Sequence, residues 1–271
     1  LSASADSEEQ VQGLPVSLLL AAFLAAAVVL SALRLRWLSP SGALAAFLVG
    51  WVTFASGSWQ AAAVLLTFFV TSSALSRWRV GRKRRMELLT ARGSRRQAAQ
   101  VLANGGVATA CIAVYALTGD VHWWLAFVGA YAAANADTWS SEIGALSPVP
   151  PRHVLTLRPL QPGDSGGVTV LGLLAGWAGS TLVAAVAWAV HPAEVGQMVM
   201  VMLGGLLGSV LDSVLGGTIQ ARYRCAACGE TVERPVHCGV PAAHAGGWRW
   251  IDNDVVNLFC TLIGATVAFI G

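Results

Sequence analysis

Apolar positions in this chain come in long unbroken runs. They show neither the three-or-four spacing of a surface helix nor the alternation of a half-buried strand. A helix needs about 20 mostly apolar residues to cross a bilayer. Runs of that kind occupy 14–33, 97–117, 165–190, 196–219 and 251–270. Another starts at Val121 and runs into a polar motif at 135–144. Two shorter runs, 42–56 and 59–76, flank the turn residues Ser56, Gly57 and Ser58. Because 42–56 is short for a span, this pair reads either as two spans or as a re-entrant hairpin. The pattern predicts an all-α fold: a polytopic membrane helix bundle of about eight transmembrane helices. The intervening stretches are polar: a tail at 1–13, a basic block at 77–96, a Pro-rich loop at 147–164 and a Cys/His-rich loop at 221–250. The expected organisation is a solvated tail at 1–13 and a single transmembrane catalytic domain at 14–271, with 221–250 as a cytoplasmic metal-binding loop.

Composition agrees: 55% of residues are hydrophobic and 11% charged, against about 25% charged in a soluble domain. Mean hydropathy is +0.63. A net charge of +3 gives no reason to expect nucleic acid as a partner. The tail lacks the basic region of a secretory signal. Five cysteines are too few and too unevenly spaced for a disulfide framework, and Cys111 and Cys260 read as packing residues. Trp123 and Trp124 read as anchors at the outer interface, Trp248 and Trp250 as anchors at the inner one.

The position of charge fixes an orientation. With eight spans and both termini outside, the inner segments are 34–41, 77–97, 145–165 and 220–251. They hold all 17 Lys and Arg of the chain. The outer turns carry only acids, Asp120 and Glu194. Cytoplasmic loops carry the Lys/Arg excess, so the chain is expected to be a multi-pass protein of an inner or plasma membrane. Its polar clusters then gather at the cytoplasmic face.

Those clusters carry the chemistry. Asn135, Asp137, Ser141 and Glu142 follow a membrane-helix body, where ionisable groups are expensive and mark function. Gly163-Asp164-Ser165-Gly166-Gly167 opens the next span. Its glycines allow close approach of backbone to a ligand, and a helix N-terminus suits an anion; helix start and packing are the bland alternative. Asp212 ends one span, and Asp252, Asn253, Asp254 and Asn257 open the last. Six acids at one face need neutralising by protons, Arg or metal, and Mg²⁺ is held by one or two carboxylates plus phosphates. Asp137 and Glu142 lie about 140° apart on a regular helix, so one ion joins them only if the helix breaks after Trp139. In the polar loop, Cys225-Ala-Ala-Cys228, then His237-Cys238, then His244, offer the ligands of a structural Cys₃His zinc site, with His237 or His244 as the fourth.

The linked motifs NADTWSSE at 135–142, PGDSGG at 162–167, GSVLDS at 208–213 with Gln220, and DND at 252–254 with Asn257 resemble one integral membrane family. That family includes the plant plastid phytyl-phosphate kinase. The resemblance covers about Pro40 to the C-terminus. It implies a membrane prenyl-phosphate kinase. Such an enzyme moves the γ-phosphoryl of CTP, or another nucleoside triphosphate, onto an isoprenoid monophosphate lipid with Mg²⁺. On that reading Asp137, Glu142, Asp212 and Asp254 are catalytic, with Asp137 and Asp212 as Mg²⁺ ligands. Asn135, Ser141, Arg158, Asp164, Ser165, Gly166, Gly167, Asp252, Asn253 and Asn257 bind substrates. One departure is that many relatives have Gly-Thr-Asp-Gly-Gly where this chain has Gly-Asp-Ser-Gly-Gly, which shifts Asp164 by a position. The rival class is a cation- or proton-coupled transporter or lipid scramblase using the same carboxylates. It predicts acids near mid-membrane and an internal repeat, whereas the acids cluster at one face and no repeat is visible.

Overall fold

The computed structural model describes residues 18–78 and 95–271. The tail at 1–13 and most of the basic block at 77–96 lie outside the described residues. The apolar runs form helices α1 (Leu18–Arg34), α2 (Pro40–Arg77), α3 (Ala98–Thr118), α4 (Val121–Gly144), α5 (Val170–Val190), α6 (Val195–Thr218) and α7 (Asn253–Ile270). Five of these seven are long and apolar enough to cross a membrane. The exceptions are α1, which is shorter, and α4, whose polar end lowers its hydropathy.

Local chemistry sets the ends. Ser39 caps α2 by accepting from Gly42 N, with Pro40 in the first turn. Gly119 ends α3 with φ +70°, and Asp120 then caps α4. The backbone N–H and side chain of His122 hold the Asp120 carboxyl below the usual carboxylate range. The α2 helix is two rods. At Ser58 the backbone leaves the helical region (φ 54°, ψ −156°) and the chain folds back. Trp37, just before α2, therefore meets Phe69, with ring centroids 5.6 Å apart. The seven helices thus present eight apolar rods, and the pair read at 42–56 and 59–76 is an antiparallel helical hairpin.

The core is built round α4, whose residues from Trp124 to Asp137 are buried without a break. It packs on α5, α7, α6, α3 and α2. Small residues permit this crowding: a Cβ on Gly129 would stand 2.3 Å from the Gly264 carbonyl oxygen of α7. Trp124 is 2% exposed and packs on Tyr115, Phe127 and His191. It is therefore a core residue and not an interface anchor. A Trp pair at a helix start does not by itself say that the helix is central. Trp248 and Trp250 are exposed and stacked, with centroids 5.7 Å apart.

Two small β elements complete the fold. Strands β1 (Arg152–His153) and β2 (Gly167–Val168) pair antiparallel and close the Pro-rich loop. The Cys/His stretch is not a plain loop. It forms β3 (Arg222–Cys225), β4 (Thr231–Val232), β5 (Val236–His237) and β6 (Val240–Gly246), an antiparallel sheet in the order β4-β3-β6-β5. Its base is tied to the helices by Ala221 N–H to Ile251 O (2.8 Å) and Trp248 N–H to Ile219 O (2.9 Å).

Candidate functional site

Chain direction alternates from rod to rod. The end of α4, the β1–β2 loop, the start of α5, the end of α6 and the start of α7 therefore meet at one end of the bundle. An open pocket of about 270 Å³ lies there. Its lining includes Asp137, Ser141, Asp164, Ser165, Gly166, Gly167, Asp212 and Asn253, eight of the residues that sequence reading singled out. Four carboxylates line it, Asp137, Asp164, Asp212 and Glu233, with no Lys or Arg among the lining residues described. Asp137 is only 6% exposed.

The Gly-rich run does several jobs at once. Asp164 turns the loop by accepting from Gln161 N–H (3.0 Å). Gly166, at φ +80°, is buried, and a Cβ there would stand 2.4 Å from Gly217 Cα of α6. Its lack of a side chain serves loop-to-helix packing, the bland reading of this glycine. Thr169 caps α5 by accepting from Gly172 N–H (2.9 Å). The run does lead into a helix N-terminus at the pocket wall, as its sequence suggests.

Other expected residues stand elsewhere. Asn135 is fully buried beneath the pocket. It accepts from Thr71 (2.9 Å) and Ser72 (3.1 Å) and donates to Gly179 O (2.9 Å), which ties α2, α4 and α5 together. Glu142 is half-buried and outside the lining, because α4 runs unbroken to Gly144 and no break after Trp139 turns it toward Asp137. Asp252 is exposed and caps α7 by accepting from Asp254 and Val255 N–H, both at 3.0 Å. Asp254 and Asn257 follow on α7 and are outside the lining. Arg158 is exposed on the loop, where its carbonyl accepts from His153 N–H. Sequence reading missed Glu233 as a site residue, since nothing in a Cys/His-rich stretch marks one acid as pocket-facing. Gln220, noted only as part of a motif, is 3% exposed and lines the pocket.

The sheet carries a second centre. One ligand atom from each of Cys225, Cys228, His237 and Cys238 falls within 4.8 Å of all the others. His237 Nδ1 lies 3.5 Å from Cys228 Sγ and 3.3 Å from Cys238 Sγ. His237 is thus the fourth member of this metal-ligand cluster, while His244 packs edge-on against Tyr223. Gly229 and Gly239, at φ +74° and +76°, follow the paired cysteines and turn the chain back. The Cys225 thiol is pulled down to about 6, chiefly by His237 and then by backbone N–H groups. The Cys238 thiol is pushed up to about 11, first by Cys228.

Comparison with known proteins places this architecture. The family described as integral membrane protein DUF92 matches residues 23–265. Among curated relatives, Protein PGR of Arabidopsis thaliana is 32% identical, covering 91% of this chain and 93% of its own length. An uncharacterised membrane protein of Methanocaldococcus jannaschii is 25% identical over 97% of this chain and 95% of its own. Protein VTE6, chloroplastic, of Arabidopsis thaliana is 23% identical over 89% of this chain and 67% of its own. No solved structure matches significantly.

Proposed function

Taking as premise that the chain belongs to the integral membrane family DUF92, we propose that it is a membrane kinase of isoprenoid monophosphates. Its donor is CTP or another nucleoside triphosphate and its product is the prenyl diphosphate. One observation carries the reading: four carboxylates and the Gly-rich loop converge on one pocket at an end of an apolar bundle. The similarity to Protein VTE6 and the family resemblance of the linked motifs support it. A transporter would set its acids near mid-membrane; here Asp164 and Glu233 stand outside the helices, and Asp137 and Asp212 lie seven and six residues before the ends of α4 and α6.

The reaction suits such a place. An oxygen of the acceptor phosphate attacks the γ-phosphorus, the bond from that phosphorus to the β-bridging oxygen breaks, and the nucleoside diphosphate departs with the electron pair. Phosphoryl transfer is mostly positioning and charge neutralisation. The acceptor is already a phosphate oxygen, so no strong base is required. The donor set fits Mg²⁺, a cation of oxygen ligands: Asp137 and Asp212 would hold it, and when bound it neutralises charge on the phosphates. Backbone N–H groups of the 163–169 run are assigned to phosphate, and Ser141 and Asn253 to orienting the ligand. The Cys/His cluster has the donors of a structural zinc site and is assigned to ordering the sheet.

The test is transfer of labelled γ-phosphate by purified protein to a panel of prenyl monophosphates in detergent. Diphosphate formation that requires Mg²⁺ is expected. Asp137→Asn and Asp212→Asn should each lower it at least about 100-fold, a loss of roughly 2.7 kcal/mol in transition-state stabilisation. Full Mg²⁺-dependent activity in either variant overturns the assignment.

A further inference from the structure

Glu233 belongs by sequence to the sheet that carries the Cys/His cluster, yet it lines the pocket between the helices. It directly follows β4, whose Val232 is 1% exposed and therefore fixed in the interior of the sheet. Strand β4 pairs with β3, and β3 ends on the cluster residue Cys225. From this frame Glu233 reaches the Gly-rich loop: Ser165 Oγ donates to Glu233 Oε1 at 2.7 Å. The contact bridges 68 positions of sequence.

This contact decides what Ser165 can do. A hydroxyl has one proton and two lone pairs. With the proton given to Glu233, Ser165 meets anything entering the pocket as an acceptor or as an oxygen ligand to a cation. Gln220, two residues before β3 and at the same end of the sheet as Glu233, is its complement. It is 3% exposed, it lines the pocket, and its Nε2 has no hydrogen-bond partner among the described residues. Its position is fixed by the base of the sheet, where Gln220 bridges to Trp248 and Gly247 turns beneath it with φ +74°. A Cβ on Gly247 would stand 2.0 Å from the Gln220 carbonyl oxygen. A buried amide N–H₂ without a partner costs about 1–3 kcal/mol. Its match is a hydrogen-bond acceptor, and a phosphate oxygen is one.

We propose that the Cys/His-held sheet is a working wall of the pocket. It brings Glu233 to Ser165 as a positioning residue and seats Gln220 as a donor to a phosphate oxygen of the ligand. Metal at the Cys/His cluster then controls occupancy of the pocket 163–169 helps to form. The phosphate ligand rests on the kinase reading above; the mechanical link from cluster to loop does not.

The experiment uses the full chain in detergent micelles. It compares the protein as isolated, the protein stripped by a thiol-competing chelator, and the variants Glu233→Ala, Glu233→Gln and Gln220→Met. Three quantities are read: metal content, hydrogen exchange over 163–169, and the dissociation constant for Mg-CTP. Glu233→Ala should keep its metal, exchange faster at 163–169 and bind Mg-CTP about tenfold more weakly, the scale of one hydrogen bond to a charged group. Glu233→Gln, which can still accept from Ser165, should lie between Glu233→Ala and wild type. Gln220→Met should weaken Mg-CTP binding about tenfold with exchange at 163–169 unchanged. Stripping the metal should reproduce both effects of Glu233→Ala. Unchanged exchange at 163–169 after stripping, or after Glu233→Ala, overturns the proposal. Wild-type protein that binds no nucleotide, with 163–169 still loosened by stripping, sinks the kinase reading and the phosphate role of Gln220 but leaves the wall standing.

Discussion

Asn135 gives both ends of its amide to the protein: two hydroxyls of α2 on one side and the Gly179 carbonyl of α5 on the other. Asp137, two residues on, lines the pocket. The same motif therefore carries a structural residue and a chemical one, and substitution separates them. Asn135→Leu should lose about 1–2 kcal/mol of stability, because buried polar groups lose their partner while membrane hydrogen bonds recover part of the cost. Unfolding in mixed micelles measures it. Asp137→Asn keeps the volume of the side chain, and the change should show in transfer, which collapses, rather than in unfolding. The cluster thiols make a third point at this scale. Cys225, pulled down to about 6, is a thiolate at neutral pH, whereas Cys238, pushed up to about 11, is a thiol. Metal takes thiolates, so binding must release the Cys238 proton. The unloaded cluster holds more protons than the loaded one, and affinity must rise with pH. Competition with a chromophoric chelator should show tighter binding at pH 8 than at pH 6, with acid released on loading; flat affinity across that range contradicts the assignment.

At the scale of the element, the hairpin in α2 turns on two residues. The run 42–56 looks short only because Pro40 and Ser41 are polar or helix-starting. With them included, the first rod reaches Ser58, roughly 27 Å at 1.5 Å per residue. Ser58 sits at φ 54°, ψ −156°, a region that favours glycine. Ser58→Gly should raise stability by up to about 1 kcal/mol. Gly57→Val should do the reverse, since a Cβ there would stand 2.3 Å from Ala61 Cβ and 2.7 Å from Ile112 Cγ1. Melting temperatures in detergent rank the two against wild type. Helices were legible in sequence because a span announces itself by length and apolarity alone. The convergence of Asp137, Asp164 and Asp212 was legible from alternating direction. The sheet was not: β4 and β5 are two residues each and most of β6 is exposed, so no alternation marks them. Cross-strand hydrogen bonds and Cys/His geometry order this region, and Glu233 was hidden with it.

At the scale of the whole molecule, charge and helix ends give one arrangement. Among the described residues, Arg34, Arg77, Arg96, Arg152, Arg222 and Arg249 stand at or beside the pocket end of the bundle, where α1, α2, α4 and α6 finish and α3 and α7 begin. The far end carries the acids Asp120 and Glu194, with His122 and Trp123 on Phe269. Positive ends stay in the cytoplasm, and nucleoside triphosphates are found there too. The insertion rule and, on the kinase reading, the supply of donor both call for the orientation proposed here: pocket and Cys/His sheet inside, α7 ending outside. A reporter fused after Gly271 tests it. Alkaline phosphatase, which folds only in an oxidising compartment, should be active there in a bacterial host, and a fluorescent protein that matures only in the cytoplasm should stay dark. The reverse pair of results would put the carboxylates on the side without nucleotide. The kinase reading would then fail on topology alone, whatever the pocket residues resemble.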